Sequence, residues 1–156
     1  MTFNAMSIWL IGSVGNASRC FRDVVESEGC VCVFWENASG SIIALESGDI
    51  PHAIFIEDLP PYMHFMDVVK SIRSLRKVDD IPLIGISDEY NANMRDVGKI
   101  GGVSGWLRAP LKEGDLRKVI RDCGTGRLLP REKTGDVRFE VKLGRLWISR
   151  IDKIIY

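Results

Sequence analysis

Pro51 to Arg76 reads PHAIFIEDLPPYMHFMDVVKSIRSLR: an apolar run, two acids, a double proline and then a helical pattern. The run His52 to Ile56 does not alternate between polar and apolar residues, which suits a strand covered on both faces. Downstream, Phe65, Val68, Val69 and Ile72 recur at intervals of three and four and make one apolar stripe of a helix. Glu57 and Asp58 therefore fall where a buried strand gives out. In open α/β sheets that edge borders the functional crevice.

The same alternation extends in both directions. SIWLIG, CVCVFW, HAIFI, IPLIGI and the weaker SGWL are five short apolar segments separated by stretches with helical spacing. Asn16 or Ser18 can cap the first helix, which turns Cys20, Val24 and Val25 inward. Leu111, Leu116, Val119, Ile120 and Cys123 make the last amphipathic helix. Regular β-α alternation implies right-handed crossovers and a parallel sheet between two helical layers. The fold class is thus α/β, a three-layer, doubly wound, five-stranded parallel sheet over residues 1–123.

Composition agrees with a globular domain: of 156 residues, 46% are apolar and 27% charged. Basic and acidic residues balance at 21 each, but residues 1–123 hold 13 basic and 17 acidic, whereas 124–156 hold 8 basic and 4 acidic. The N-terminus has no basic n-region, and Ile8 to Ile11 is too short for a signal peptide or a membrane span, so a cytoplasmic location without membrane attachment is expected. Cys20, Cys30, Cys32 and Cys123 form no CxxC pair, and only His52 and His64 could join them as ligands. Cys30 and Cys32, two apart on a strand, share a face and are read as small apolar side chains; no metal is expected.

Beyond Cys123, GTGRLLPREKTGD (124–136) reads as a linker, and Val137 to Tyr156 as a β-hairpin extension with Val137, Phe139 and Val141 alternating. Two strands alone are marginal in water, so that hairpin needs a surface to pack on.

Ser7 to Cys123 resembles the receiver (CheY-like) domain of bacterial response regulators, a flavodoxin-like fold. In that family the third strand ends in a phosphorylated aspartate with a proline four positions on, a spacing that Glu57 and Pro61 match. Ser87 stands where the fourth strand ends in Ser or Thr, and Trp106-Leu107-Arg108-Ala109-Pro110 where an aromatic residue and then Lys-Pro are usual. The resemblance implies a cis Ala109–Pro110 bond. It also implies protein partners or a homodimer through the face of the fourth helix, fifth strand and fifth helix, where Arg95, Lys99, Trp106, Arg108, Lys112 and Asp115 are expected.

The chemical parts depart from that pattern. Gly12-Ser13 replaces the metal-binding acids, Ala109 the lysine, and Glu57 the aspartate. Asp58, as a substitute acceptor, would point to the opposite face and lies one residue too near Pro61. These departures make the site a degenerate phospho-acceptor in a pseudo-receiver: a two-component signalling module that acts by contact, in transcription regulation, with no catalysis and no cofactor. For Glu57 two readings stand, a polar strand end paired with Arg108 or a permanently charged imitation of the acceptor. A separate alternative is nucleotide or small-ligand binding by the Gly12-to-Asn16 turn, with Glu36 accepting from a ribose. His52 belongs at the far end of its strand, and His64 at the helix start is a cap or surface residue.

Residues 137–156, with Ile148, Ile151, Ile154, Ile155 and Tyr156, resemble the opening of LytTR-type DNA-binding domains. The chain stops before the elements that would contact bases, so DNA is a partner only where a longer chain completes that domain.

Overall fold

The computed structural model describes residues 6–12, 16–57, 65–75, 78, 80–88 and 92–125. Five strands and five helices alternate: β1 (Ser7–Ile11), α1 (Asn16–Ser27), β2 (Val31–Trp35), α2 (Ala38–Glu46), β3 (Ala53–Glu57), α3 (Phe65–Arg73), β4 (Leu83–Ser87), α4 (Ala92–Gly101), β5 (Gly105–Arg108) and α5 (Glu113–Thr125). All neighbours in the sheet are parallel, in the order β2-β1-β3-β4-β5. The expected doubly wound sheet is thus present.

Side-chain alternation divides the core between the two faces of the sheet. On one face Trp9, Ile11, Ile54, Ile56 and Leu83 pack with Leu45 of α2 and Phe65, Val68, Val69 and Ile72 of α3. On the other, Ile8, Leu10, Phe55, Ile84 and Ile86 meet Phe21, Val24 and Val25 of α1 and Leu116 and Ile120 of α5. Phe21 meets Phe55 edge-on at 5.0 Å, and Trp9 tilts against Trp35 at 5.0 Å. β3 lies at the centre and needs apolar residues on both sides, which is why HAIFI shows no alternation.

Several local readings shift. Ser18 lies inside the first turn of α1 and is buried, so it is not the residue that precedes the helix. Cys20 is only half-buried, because it sits on the flank of the stripe formed by Phe21, Val24 and Val25. Leu111 touches the core but precedes α5, which starts at Glu113. That helix carries on through Gly124 and Thr125, two residues into the stretch read as a linker. The hairpin at 137–156 and the rest of that linker lie outside the described residues. Among the described residues no helix is long and apolar enough to cross a membrane.

Cys30 and Cys32 do share a face, packed against the α1–α5 side of the core with Cys123. Burial pushes the thiol of Cys32 up to about 11 and that of Cys123 up to about 12, so both stay protonated at neutral pH. His52 lies just before β3, where its Nδ1 accepts the Ser7 N–H at 2.9 Å, at the end of the sheet away from the crevice.

Two polar clusters tie the helices down. Arg73 of α3 is 7% exposed, and its guanidinium donates to two carbonyls. Nε donates to Gly102 at 3.0 Å and Nη1 to Val78 at 2.7 Å, linking the end of α3 to the turn after α4. On the opposite face, Glu28 accepts from Arg117 Nη1 at 2.9 Å and from Arg121 Nε at 2.8 Å, joining the end of α1 to α5.

The Arg121 hydrogen bond, and then that of Arg117, hold the Glu28 carboxyl below the usual carboxylate range against the opposing effect of burial. A carboxylate with a lowered folded-state pKa stabilises above its unfolded pKa, and that stability is lost as pH falls through the folded value. Acid titration followed by circular dichroism should therefore show a component that Arg121→Ala weakens and Glu28→Gln removes. An unchanged acid transition in Glu28→Gln would show the cluster to be without effect.

Candidate functional site

Parallel pairing brings the carboxyl ends of β1, β3, β4 and β5 to one edge of the sheet. Ile11 pairs with Ile56, Glu57 with Ile86, and Ser87 with Arg108. The edge therefore carries Gly12, Glu57, Ser87, Arg108 and Ala109 together. Ser13, Asp58 and Pro61, also expected here, lie outside the described residues, as does His64.

Glu57 and Gly12 share one volume. A Cβ built on Gly12 would collide with the Glu57 carboxyl, with Cδ at 2.7 Å and Cγ at 2.8 Å. Gly12 is anchored by its N–H, which donates to the Trp35 carbonyl at 2.9 Å. The longer side chain of Glu57 thus folds over the residue that follows β1 and fills the space a side chain there would need. Such an arrangement does not fit a magnesium site built on acids after the first strand. The residue after β1 offers no ligand, and the Glu57 carboxyl occupies its place.

Ser87 is 2% exposed, and its carbonyl accepts the Ala109 N–H at 3.0 Å. The Ala109–Pro110 bond is cis, as the resemblance implies. Ala109 is half-buried against the α1–α5 side of the core and carries no charge toward the crevice.

Trp106 occupies a slot made for an indole. Phe65 tilts against it at 4.9 Å, while Cβ atoms at Gly85 and Gly98 would approach its ring to 2.5 and 2.9 Å. A glycine inside an apolar strand and another inside a helix both mark a close approach, so this slot was signalled by IGI and by Gly98. Sequence reasoning placed Trp106 on the face but missed both glycines.

Of the residues expected on the face of α4, β5 and α5, Arg95 and Lys99 belong to α4, Trp106 and Arg108 to β5, and Asp115 to α5. The helical order around α4 runs from Gly101, against Met66 of α3, to Gly98, against Trp106 of β5, and onward to Arg95 and Lys99. Those two cations consequently flank the outer side of β5. Arg95 lies 3.5 Å from Asp96 in a solvent-exposed pair that contributes little. Lys112, just before α5, and Asp115, in its first turn, are exposed. Between β5 and α5 runs a groove of about 330 Å³ lined by Trp106, Leu107, Arg108, Asp115, Lys118 and Val119. Val119 was expected only as part of the apolar stripe of the last helix, and Lys118 was not expected here, because a lysine on an exposed helix face carries no signal of its own.

No family model matches the chain, and no curated protein matches it. Solved structures do. The chemotaxis response regulator CheY4 of Vibrio cholerae superposes with a TM-score of 0.69 at 16% identity, over 77% of this chain and 99% of that one. The receiver domain of a sensor histidine kinase from Pseudomonas aeruginosa, with magnesium coordinated in its cleft, gives 0.67 at 16% identity, over 78% and 99%. The signal receiver domain of a histidine kinase from Syntrophus aciditrophicus gives 0.67 at 16%, over 78% and 92%. The chain has the receiver fold of CheY-like response regulators.

The shared volume of Gly12 and Glu57 makes a double-mutant cycle decisive. Gly12→Ala should destabilise by about 1–3 kcal/mol through overpacking. In a Glu57→Ala background the same change should cost much less, because the collision is gone. Additive effects in denaturant melts would mean that the two residues do not compete for space.

Proposed function

We propose that this protein is a regulatory module of the receiver type that works by protein-protein contact and without aspartyl phosphorylation. The observation that carries the proposal is the Glu57 carboxyl lying over Gly12. Phosphoryl transfer to a carboxylate needs a correctly placed acceptor oxygen, a magnesium ion held by neighbouring acids, and a cation for the developing charge. In this chain the acceptor position carries a longer acid turned toward β1, the position after β1 carries glycine, and Ala109 stands in place of the cation. A module so altered has no chemistry of its own to perform and needs no cofactor.

Its output surface is the face of α4, β5 and α5, with Arg95, Lys99, Trp106, Arg108, Lys112 and Asp115 at or around the groove. The apolar floor of Trp106, Leu107 and Val119, ringed by charges, suits a protein partner or a second copy. Transcription regulation is the setting, in the cytoplasm, with DNA engaged only where residues 137–156 open a completed DNA-binding domain. The nucleotide alternative rests on the turn at 13–15, outside the described residues, and nothing in the described crevice adds to it.

Acetyl phosphate or beryllofluoride with Mg²⁺ should leave the mass, oligomeric state and tryptophan fluorescence of the chain unchanged. A Mg²⁺-dependent shift that disappears in Asp58→Asn would overturn the proposal and make Asp58 the acceptor.

A further inference from the structure

At the other side of the sheet, β2 pairs with β1 and with no second strand among those described. Its residues, VCVFW, include neither a charge nor a proline, the usual devices that keep a sheet edge from pairing. Which backbone groups face outward follows from two hydrogen bonds. The Val31 N–H donates to the Met6 carbonyl at 2.8 Å, and the Trp35 carbonyl accepts from the Gly12 N–H at 2.9 Å. With the parallel register, Val31, Val33 and Trp35 turn their backbone groups to β1. Cys32 and Phe34 turn theirs away from the sheet. Val31, at the start of the strand, leaves 52% of its surface in water.

We propose that a second copy of the chain pairs at this edge, β2 against β2, antiparallel about a two-fold axis through Val33. In that register the outward groups of Cys32 meet those of the partner's Phe34, and the reverse, so both bonding pairs form with all of β2 in overlap. Val31 then faces the partner's Trp35, an aromatic residue on a β-branched one.

Charge supports the same axis. Arg22 of α1 stands over the Phe34 ring at 4.9 Å, and Glu26, one turn further along α1, joins Arg22 in acting on the Cys32 thiol. Because the axis sets Phe34 beside the partner's Cys32, it brings each Arg22 toward the other copy's Glu26. One strand and one helix thus carry both halves of a complementary surface, which selects a second copy over an unrelated partner. The edge is remote from the face of α4, β5 and α5, so both surfaces can be engaged together.

Light scattering on the full chain tests this inference. The mass should rise to twice that of one chain with concentration, and the Cys32 and Phe34 amides should gain protection from hydrogen exchange in step. Cys32→Pro removes an N–H that the sheet does not use and should abolish the dimer while the fold persists by circular dichroism. Arg22→Glu should weaken association by about tenfold or more, and Arg22→Glu combined with Glu26→Arg should restore it. Should Cys32→Pro fail to fold, this charge exchange decides. A one-chain mass up to millimolar concentration overturns the proposal. So does a dimer indifferent to both sets of changes, and one lost instead on Arg95→Glu with Lys99→Glu would move the association to the opposite side of the sheet.

Discussion

Everything in this molecule hangs on the hydrogen bonding of β3 on both sides at once. Its residues pair with β1 along one edge and β4 along the other, and Ala53, Ile54, Phe55 and Ile56 are each at most 1% exposed. A strand buried in that way can surface only at its ends. Glu57 is therefore presented at the carboxyl edge by the burial of the four residues before it, and the parallel neighbours deliver Gly12, Ser87 and Arg108 to the same line. The position of the crevice is a consequence of sheet topology. Its chemistry is a separate matter, decided by which side chains stand there.

Glycines shape what stands there. Gly12 lets Glu57 fold toward β1, and Gly85 and Gly98 let the Trp106 ring sink between β4 and α4. Each is a case of a missing Cβ admitting a larger neighbour, and each joins elements distant in sequence. Arg73 adds a polar tie of the same reach, its Nη2 lying 3.4 Å from the Ser104 hydroxyl, which also accepts the Leu83 N–H at 3.1 Å. The approach to β5 is thus fixed from α3 by hydrogen bonds and from α4 by packing, which gives the face of α4, β5 and α5 a rigid floor.

The fold was legible in the sequence because burial on two faces leaves a one-dimensional trace: unbroken apolar runs such as HAIFI and IPLIG, separated by helical stripes such as Phe65-Val68-Val69-Ile72. The placement of Glu57 and Ser87 at one edge followed from that trace and from proline spacing. What sequence could not supply was direction within the site. Nothing in the string Glu57-Asp58 says that the Glu57 carboxyl lies over Gly12, since that depends on the absence of a side chain some 45 residues earlier. The indole slot was hidden for the same reason, its walls coming from β4, α3 and α4. Helix limits, as at Ser18 and Leu111, depended on which residue completes the first turn, a choice that apolar spacing leaves open.

The contact between Gly12 and Glu57 also gives the site a one-way character in sequence space. An acid introduced after β1 while Glu57 remains would enter occupied volume, and shortening Glu57 to aspartate first would empty that volume without supplying a ligand or the cation absent at position 109. Each first step is thus either a steric fault or a cavity, and the two residues can change without cost only together. A small contact of this kind acts as a ratchet: each single change at either residue carries a cost in packing, whereas changes on the exposed surfaces of the fold do not.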